Sequence, residues 1–273
     1  MNVSVIISTY NSPDWLTKVL VGYRCQTVSG FEVLIADDGS GEETQAAISS
    51  FDTKGKFTLS HVWQADDGFQ KCRILNKAIG AARGDYLIFT DGDCIPEPGL
   101  IASHLKHASR KAFLSGGYCK LPMTTSKRIT REDIETGRIF KLSWLFSNGF
   151  GFRDKWLKVA APRLGLSRFL DRVSPAKKTF NGNNSSCYRD DALSVGGFDE
   201  RMGYGGEDRE FGYRLENAGL KPKVIRYSAL CLHLDHPRGY KDETIRLRNE
   251  EIIASTKSGK TIFTSHGIEP RAI

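Results

Sequence analysis

Asp91-Gly92-Asp93 sets two carboxylates two residues apart at the end of the apolar run Tyr86-Leu87-Ile88-Phe89. In extended backbone, residues i and i+2 point the same way, so both acids are expected to face one spot. A short continuous apolar run fits a strand buried on both faces of a largely parallel sheet. Open α/β sheets bind their ligands at the carboxyl ends of such strands. Two close carboxylates repel, and a hard divalent cation, Mg²⁺ or Mn²⁺, relieves the conflict. Gly92 is expected to let a ligand approach the backbone, and Pro96 and Pro98 to end the strand. Other residues fit for chemistry lie late in the chain. Glu207-Asp208 follows Gly205-Gly206, and His233 and His236 stand in Leu232-His233-Leu234-Asp235-His236-Pro237.

Positioning these groups takes strands with polar exits. Val3 to Ser8 reads as a β-branched strand running into Thr9-Tyr10-Asn11, and Ser12-Pro13-Asp14 opens a helix with Leu16, Val19, Leu20 and Tyr23 at helical spacing. A second strand, Phe31 to Ala36, exits at Asp37-Asp38-Gly39-Ser40, and a third, Thr58 to Trp63, exits near Gln64 to Gly68. A helix is expected over Lys71 to Arg83, with Gly84 as its C-cap glycine. Strand alternation would put Cys231, His233 and Asp235 on one face. A helix from Asp208 to Asn217 should end at Gly219. The alternation of strands and helices predicts an α/β protein, a doubly wound Rossmann-like mixed sheet with helices on both faces. A dinucleotide-binding domain is disfavoured, because Gly-x-Gly-x-x-Gly does not follow the first strand.

Composition narrows the class. The 273 residues suit one large α/β domain or two small ones, and no apolar run is long enough for a membrane span. The N-terminus reads straight into a strand, without the pattern of a signal peptide, and the six cysteines are scattered. Reduced thiols and a cytoplasmic location are the expectation, and the cysteine spacing argues against zinc. Net charge is +7, but Lys120 to Lys178 holds fourteen Lys and Arg against five acids, a net +9 that leaves the remainder at −2. Within it, Ile139-Phe140, Leu142, Trp144 to Phe146, Phe150, Phe152, Trp156 and Leu157 lie among Arg138, Lys141, Arg153, Lys155 and Lys158. Such a segment points to an anionic partner, either an acceptor or the inner face of a membrane met peripherally. No nucleic-acid-binding module is present, so nucleic acid is not expected as a partner.

Ser4-Val5-Ile6-Ile7-Ser8-Thr9-Tyr10-Asn11, Ala36-Asp37-Asp38-Gly39-Ser40 and Asp91-Gly92-Asp93, in this order, resemble a family 2 glycosyltransferase of the GT-A fold. The later block Tyr204-Gly205-Gly206-Glu207-Asp208 is similar to that of the chondroitin-polymerase-like and galactosyltransferase-like branch. The resemblance implies inverting transfer from a nucleotide-sugar to a hydroxyl of a glycan or lipid-linked acceptor, aided by Mn²⁺ or Mg²⁺. It implies Asp208 as catalytic base, Glu207 as a sugar-binding acid, and a metal-binding histidine near Leu232 to Pro237. Asp93 is expected to ligate the metal with His233, preferred over His236, and Asp91 to lie nearer the ribose or a metal-bound water. Burial that raises the base's pKa would help it. The Gly205-Gly206 pair would leave room for a sugar.

Donor binding is expected across the first strand exits, at Ser8, Thr9, Tyr10, Asp38, Gln70 and Asp91. An Asp at position 38 can accept from a uracil N3–H, which favours a UDP-sugar. Gln64 and Asn76 are secondary candidates, Asp37 is read as structural, and Gly182, Asn183 and Asn184 are candidates for sugar hydroxyls. The domain reading is a glycosyltransferase domain over 1–240, with a nucleotide-sugar half over 1–100, an acceptor half over 101–240 and a helical tail over 241–273. The alternatives are a sugar nucleotidyltransferase and a catalytically inactive relative that binds glycan or acts as a scaffold.

Overall fold

The computed structural model describes residues 1–151, 155–237 and 242–269. Phe152 and Arg153 of the basic segment, and Lys241 at the expected start of the tail, lie outside the described residues. The chain opens β1 (Val3–Thr9), α1 (Pro13–Arg24), β2 (Phe31–Asp37), α2 (Glu42–Ser49), β3 (Phe57–Trp63), α3 (Lys71–Ala81), β4 (Tyr86–Asp91), β5 (Cys94–Pro96) and α4 (Leu100–His107). Strands β6 (Ala112–Ser115) and β7 (Gly117–Lys120) lead into short helices α5 (Met123–Arg128), α6 (Arg131–Glu135), α7 (Leu142–Ser147), α8 (Leu157–Ala160) and α9 (Ser167–Val173). Then come β8 (Asn184–Tyr188), α10 (Arg189–Ser194), α11 (Glu207–Asn217), β9 (Lys221–Val224), β10 (Leu230–His233) and α12 (Glu243–Ser258).

Seven strands form a mixed sheet in the order β3-β2-β1-β4-β8-β6-β9, and β5-β10-β7 form a smaller one. Strands β1 to β4 pair in parallel, as their continuous Val and Ile runs predict, whereas β8 runs antiparallel between β4 and β6. Alternate residues face opposite layers. Val5, Ile7, Val33, Ile35 and Ile88 pack with Leu16, Val19, Leu20 and Tyr23 of α1. Ile6, Leu34, Leu87 and Phe89 pack with Ile74, Leu75 and Ile79 of α3 and with Phe211 and Leu215 of α11. Helices thus cover both faces, as expected. On the second face, Phe89, Phe180, Phe198 and Phe211 form one aromatic cluster, with the Phe198 and Phe211 rings stacked 4.4 Å apart. That cluster seats α11 and the acids at its start.

Several local expectations need correction. Helix α3 stops at Ala81, and its next residue is extended (ψ 135°), so Gly84 is not its cap. Gly84 instead allows a close approach, because a Cβ there would lie 2.5 Å from Ser4 Oγ. Its N–H donates to that hydroxyl and to Glu32. Strand β4 ends at Asp91, and Pro96 sits inside β5. Asp235 lies beyond β10, so it does not share a strand face with His233; its N–H donates to Ser126 Oγ. In the basic segment, Ile139, Phe140, Leu145 and Phe150 are core residues, with Leu142, Trp144 and Phe146 packed against them.

Candidate active site

The register of the parallel strands aligns their exits. Ser8 lies opposite Asp91, and Thr9 opposite Asp37. Turns then tie the exits together: Asn11 takes a left-handed backbone (φ 43°), and its Oδ1 accepts from the Gly41 N–H. Asn tolerates that conformation through such local bonds. Asp37 is structural, with Oδ1 accepting from the Ser40 N–H and Oδ2 contacting His61 Nε2 at 2.8 Å. Above this edge lies a cavity of about 730 Å³, lined by Ser8, Thr9, Tyr10, Asp38, Lys71, Asp91, Asp93, Asn183, Tyr204, His233 and His236 among others.

The two acids of Asp91-Gly92-Asp93 divide between different partners instead of facing one spot. Asp91 Oδ1 accepts from Lys71 Nζ and Ser8 Oγ, each at 2.7 Å. Burial alone would raise the Asp91 carboxyl, but the Lys71 charge and these hydrogen bonds outweigh it and hold the acid low. Lys71 in turn is pushed up, because the charges of Asp91, Glu207 and Asp208 outweigh its own burial. The repulsion between the paired acids is therefore relieved in part by a protein cation. Sequence reasoning passed over Lys71. The signal was its place at the first residue of α3, where the helix dipole disfavours a cation. Gly92 lines the cavity, and a Cβ there would also come within 3.1 Å of Ser8 O and Thr9 Oγ1, so its smallness lets it lie close against the end of β1.

Asp93 faces the histidines. Its Oδ2 lies 3.1 Å from His236 Nε2 and 3.8 Å from His233 Nε2, and the two rings stack with centroids 5.8 Å apart. Each ring's Nδ1 meets a backbone carbonyl at 2.8 Å, of Leu234 for His233 and of Pro237 for His236. A carbonyl only accepts, so Nδ1 carries a proton and Nε2 is the ring atom that faces Asp93. Backbone carbonyls that fix a ring in this way are what a metal-binding histidine needs. Cys94 is within ligand range of Asp93 and His233. Burial and the neighbouring Cys231 push its thiol up, so it stays a protonated donor to Asp93 Oδ1. The donor set is one carboxylate with imidazole nitrogen, and it fits a divalent cation.

The remaining expected residues fall into two groups. Tyr10 stands 50 % exposed at the cavity, its hydroxyl bonded to Asp66 Oδ2. Asp38 is buried, which raises its carboxyl, and it accepts from Gln64 Nε2 and from the Gln70 N–H. The buried Oγ1 of Thr9 and Oδ1 of Asn183 have no protein partner, and both residues line the cavity. Buried polar groups require a partner, so these two atoms are ready to meet a ligand. Gln70, by contrast, supplies its backbone to Asp38 and does not line the cavity. Asn76 is spent on Phe198 and Glu200.

Asn184 is likewise committed within the protein. Its Nδ2 donates to Gly117 O and Ala229 O, and its Oδ1 accepts from His104 Nε2 at 2.8 Å. It sits 1 % exposed in the middle of the sheet, so it holds the architecture and does not reach the cavity. Gly182 donates its N–H to Asp208 Oδ2 at 3.0 Å, and so connects α11 to Asn183. Asp208 Oδ1 accepts from the Arg209 N–H. Glu207 is the more buried of the two acids, and burial raises its carboxyl despite the charge of Lys71. Its Oε2 accepts from the Gly205 N–H at 3.0 Å. The raised pKa thus falls on Glu207. The glycines before it differ: Gly205 borders open space, whereas a Cβ on Gly206 would come within 2.8 Å of Ile253 on α12. Protein fills the room expected for a sugar at Gly206.

The comparisons agree with this fold. The chain is 26 % identical to the chondroitin synthase of Escherichia coli over 265 residues, 92 % of this chain and 37 % of the synthase. It therefore spans little more than a third of that relative. Among solved structures, the mannosyltransferase PcManGT from Pyrobaculum calidifontis, in complex with GDP-Man and Mn²⁺, matches with TM-score 0.56 and 19 % identity, over 87 % of this chain and 58 % of that one. Staphylococcus aureus TarS 1-349, in complex with UDP-GlcNAc, matches with TM-score 0.60 and 16 % identity, over 95 % of this chain and 69 % of that one. These likenesses show the GT-A fold. The family model for N-terminal domain of galactosyltransferase matches residues 167–237, and that for glycosyl transferase family 2 matches residues 4–159. With more than half of its length matched and the fold in agreement, the chain belongs to glycosyl transferase family 2 and is a glycosyltransferase.

Proposed function

We propose that the chain moves a sugar, with inversion, from a UDP-sugar to a hydroxyl of a glycan or lipid-linked acceptor. Asp93 and His233 would hold Mn²⁺ or Mg²⁺, with Asp91 reaching the ribose or a metal-bound water. The supporting observation is Asp93 facing two imidazole nitrogens in a cavity that Asp38 and Asn183 also line. When bound, the cation would neutralise the departing diphosphate.

The residues divide the remaining work. Asp38 keeps a lone pair for the uracil N3–H, and Tyr10 offers its ring to the base. Ser8, Thr9, Gly182 and Asn183 border the donor, with the unpaired Asn183 Oδ1 suited to a sugar hydroxyl. Asp208 takes the proton of the acceptor hydroxyl as its oxygen bonds to the anomeric carbon and the bond to the diphosphate breaks. Glu207, held by Gly205, orients the sugar. The basic 120–178 segment would face an anionic acceptor or, by peripheral contact, the membrane that carries it. Screening UDP-sugars for UDP release, with Mn²⁺ and after chelation, tests the reading. Metal-dependent release supports it. Metal-independent release refutes the metal role, and donor binding without any release would mark an inactive glycan-binding relative.

A further inference from the structure

We infer that α9 and the turn before it form a docking surface for an anionic lipid bilayer. Leu166, Phe169, Leu170 and Val173 recur at i, i+3, i+4 and i+7, the spacing of a stripe that a helix normally buries. Yet no residue of α9 is buried. Leu166 is 42 %, Phe169 63 % and Val173 54 % exposed, and Leu164 just before them 58 %. The helix is fastened by another face. Ser167 Oγ donates to Tyr227 O at 2.7 Å, while Asp171 accepts from the Tyr227 N–H at 2.7 Å and the Ser228 hydroxyl at 2.6 Å. Ser167 and Asp171 are four apart and share one face. The helix therefore docks by its polar side and turns its apolar side outward.

The third face is cationic. Arg168 and Arg172 are also four apart, and with Lys177 and Lys178 they make four exposed cations. The one acid between 163 and 178 is Asp171, already turned to the body. Arg168, Arg172 and Lys178 border, with Lys223 and with Asp171, whose oxygens accept from Tyr227 and Ser228, a cavity of about 380 Å³, roomy enough for a phosphate head group. A second copy of the chain would set these cations against themselves. An anionic bilayer satisfies both faces: the apolar side chains enter the boundary between head groups and acyl chains, and the arginines reach back to the phosphates. No helix among the described residues is long and apolar enough to cross a membrane, so the contact is a surface one. The inference narrows the peripheral contact proposed above to about ten residues. It does not depend on the transfer chemistry, and its test reads binding alone.

The full chain is cosedimented with vesicles of phosphatidylcholine, and of phosphatidylcholine with phosphatidylglycerol, at low and high salt. Binding is expected to the anionic vesicles only and to weaken with salt. Leu166→Ser with Phe169→Ser should weaken it by at least about tenfold, and Arg168→Glu with Arg172→Glu by a similar factor. Thermal melts should match wild type, since the altered side chains are exposed. Absence of binding to anionic vesicles, or variants that bind as wild type does, overturns the inference. So does unfolding of the serine variant, which would make the stripe core. A dimer in gel filtration that Phe169→Ser dissociates overturns it as well, and assigns the face to a second copy.

Discussion

Replacing Lys71 by Met would keep the aliphatic stem and remove the cation that holds Asp91. Opposite charges about 3 Å apart attract by about 5 kcal/mol at an effective dielectric of about 20. Dehydrating the lysine cancels part of that. Exposed pairs contribute about 0–1 kcal/mol, and breaking a buried pair costs about 3–5. The side chains of Lys71 and Asp91 are 20 % and 25 % exposed, between those limits, and Ser8 still donates to Asp91 in the variant. A loss of about 2 kcal/mol near pH 7 is expected. The sign with pH follows from the folded pKa of Asp91, which is held low. Such a group stabilises above its unfolded pKa, about 3.9, and the stability is lost as pH falls through the folded value. Lys71, held high, contributes fully below its own unfolded pKa, about 10.4. The deficit of Lys71→Met should therefore be full from about pH 5 to 9 and shrink below about pH 4. Urea unfolding of both proteins across that range measures it. A difference under about 0.5 kcal/mol at pH 7, or one that persists undiminished to pH 3, refutes the ion pair as a stabilising element.

Other outcomes follow from the same site. Asp93→Ala should abolish Mn²⁺-dependent UDP binding in calorimetry while leaving the melting curve intact; unchanged affinity removes Asp93 from the metal site. Asp208→Asn should lower turnover by at least about a hundredfold with donor affinity unchanged, and near-normal turnover would pass the base role to Glu207. Asn184→Ala should cost about 3 kcal/mol in urea unfolding, because two carbonyls and His104 lose buried partners; a small cost with a raised donor KM would instead make Asn184 a sugar contact.

What the sequence disclosed follows from which interactions are local. Continuous Val and Ile runs in β1, β2 and β4 mark buried parallel strands, and the acids at their exits were visible because strand ends of this fold are where ligands bind. Lys71 was hidden for the opposite reason. A lysine opening a helix reads as a solvated charge until the chain brings Asp91 beneath it. Asn184 misled more seriously. Beside Gly182 and Asn183 it reads as a candidate for sugar hydroxyls, but β8 threads between β4 and β6 with Asn184, Ser185 and Ser186 all buried. There Tyr86, Ser186, His104 and Asn184 satisfy one another in a chain of hydrogen bonds, and burial pushes His104 down to about 4. Polar side chains in a central strand look like function when their partners lie 80 and 100 residues away. The exposed stripe of α9 was invisible too, because its spacing is that of any buried helix.

The tail shows how the acids at α11 come to be held. Glu207 follows two glycines in left-handed conformations, φ 113° and 92°, a geometry that stores flexibility unless something outside clamps it. The clamp comes from α12. Asn249 is fully buried and donates to Gly203 O at 3.0 Å and Gly205 O at 2.9 Å, while Ile253 abuts Gly206. One turn further on, Thr256 donates to Glu210, which also binds Arg214 in the same helix as Glu207. Beyond α12, Thr264 donates to Asp199, and the Ile268 N–H donates to Gly196 O. The chain after 241 therefore grips both ends of the loop from Gly196 to Gly206. Its polar residues point inward at the positions where the loop's carbonyls would otherwise lie unpaired. The Gly205 N–H then holds Glu207 from the loop side, and Lys71 draws on its charge from the sheet side. The acids proposed for sugar transfer owe their placement to three separated parts of the chain: a lysine that opens α3, an aromatic cluster beneath α11, and a tail that would look dispensable from its sequence alone.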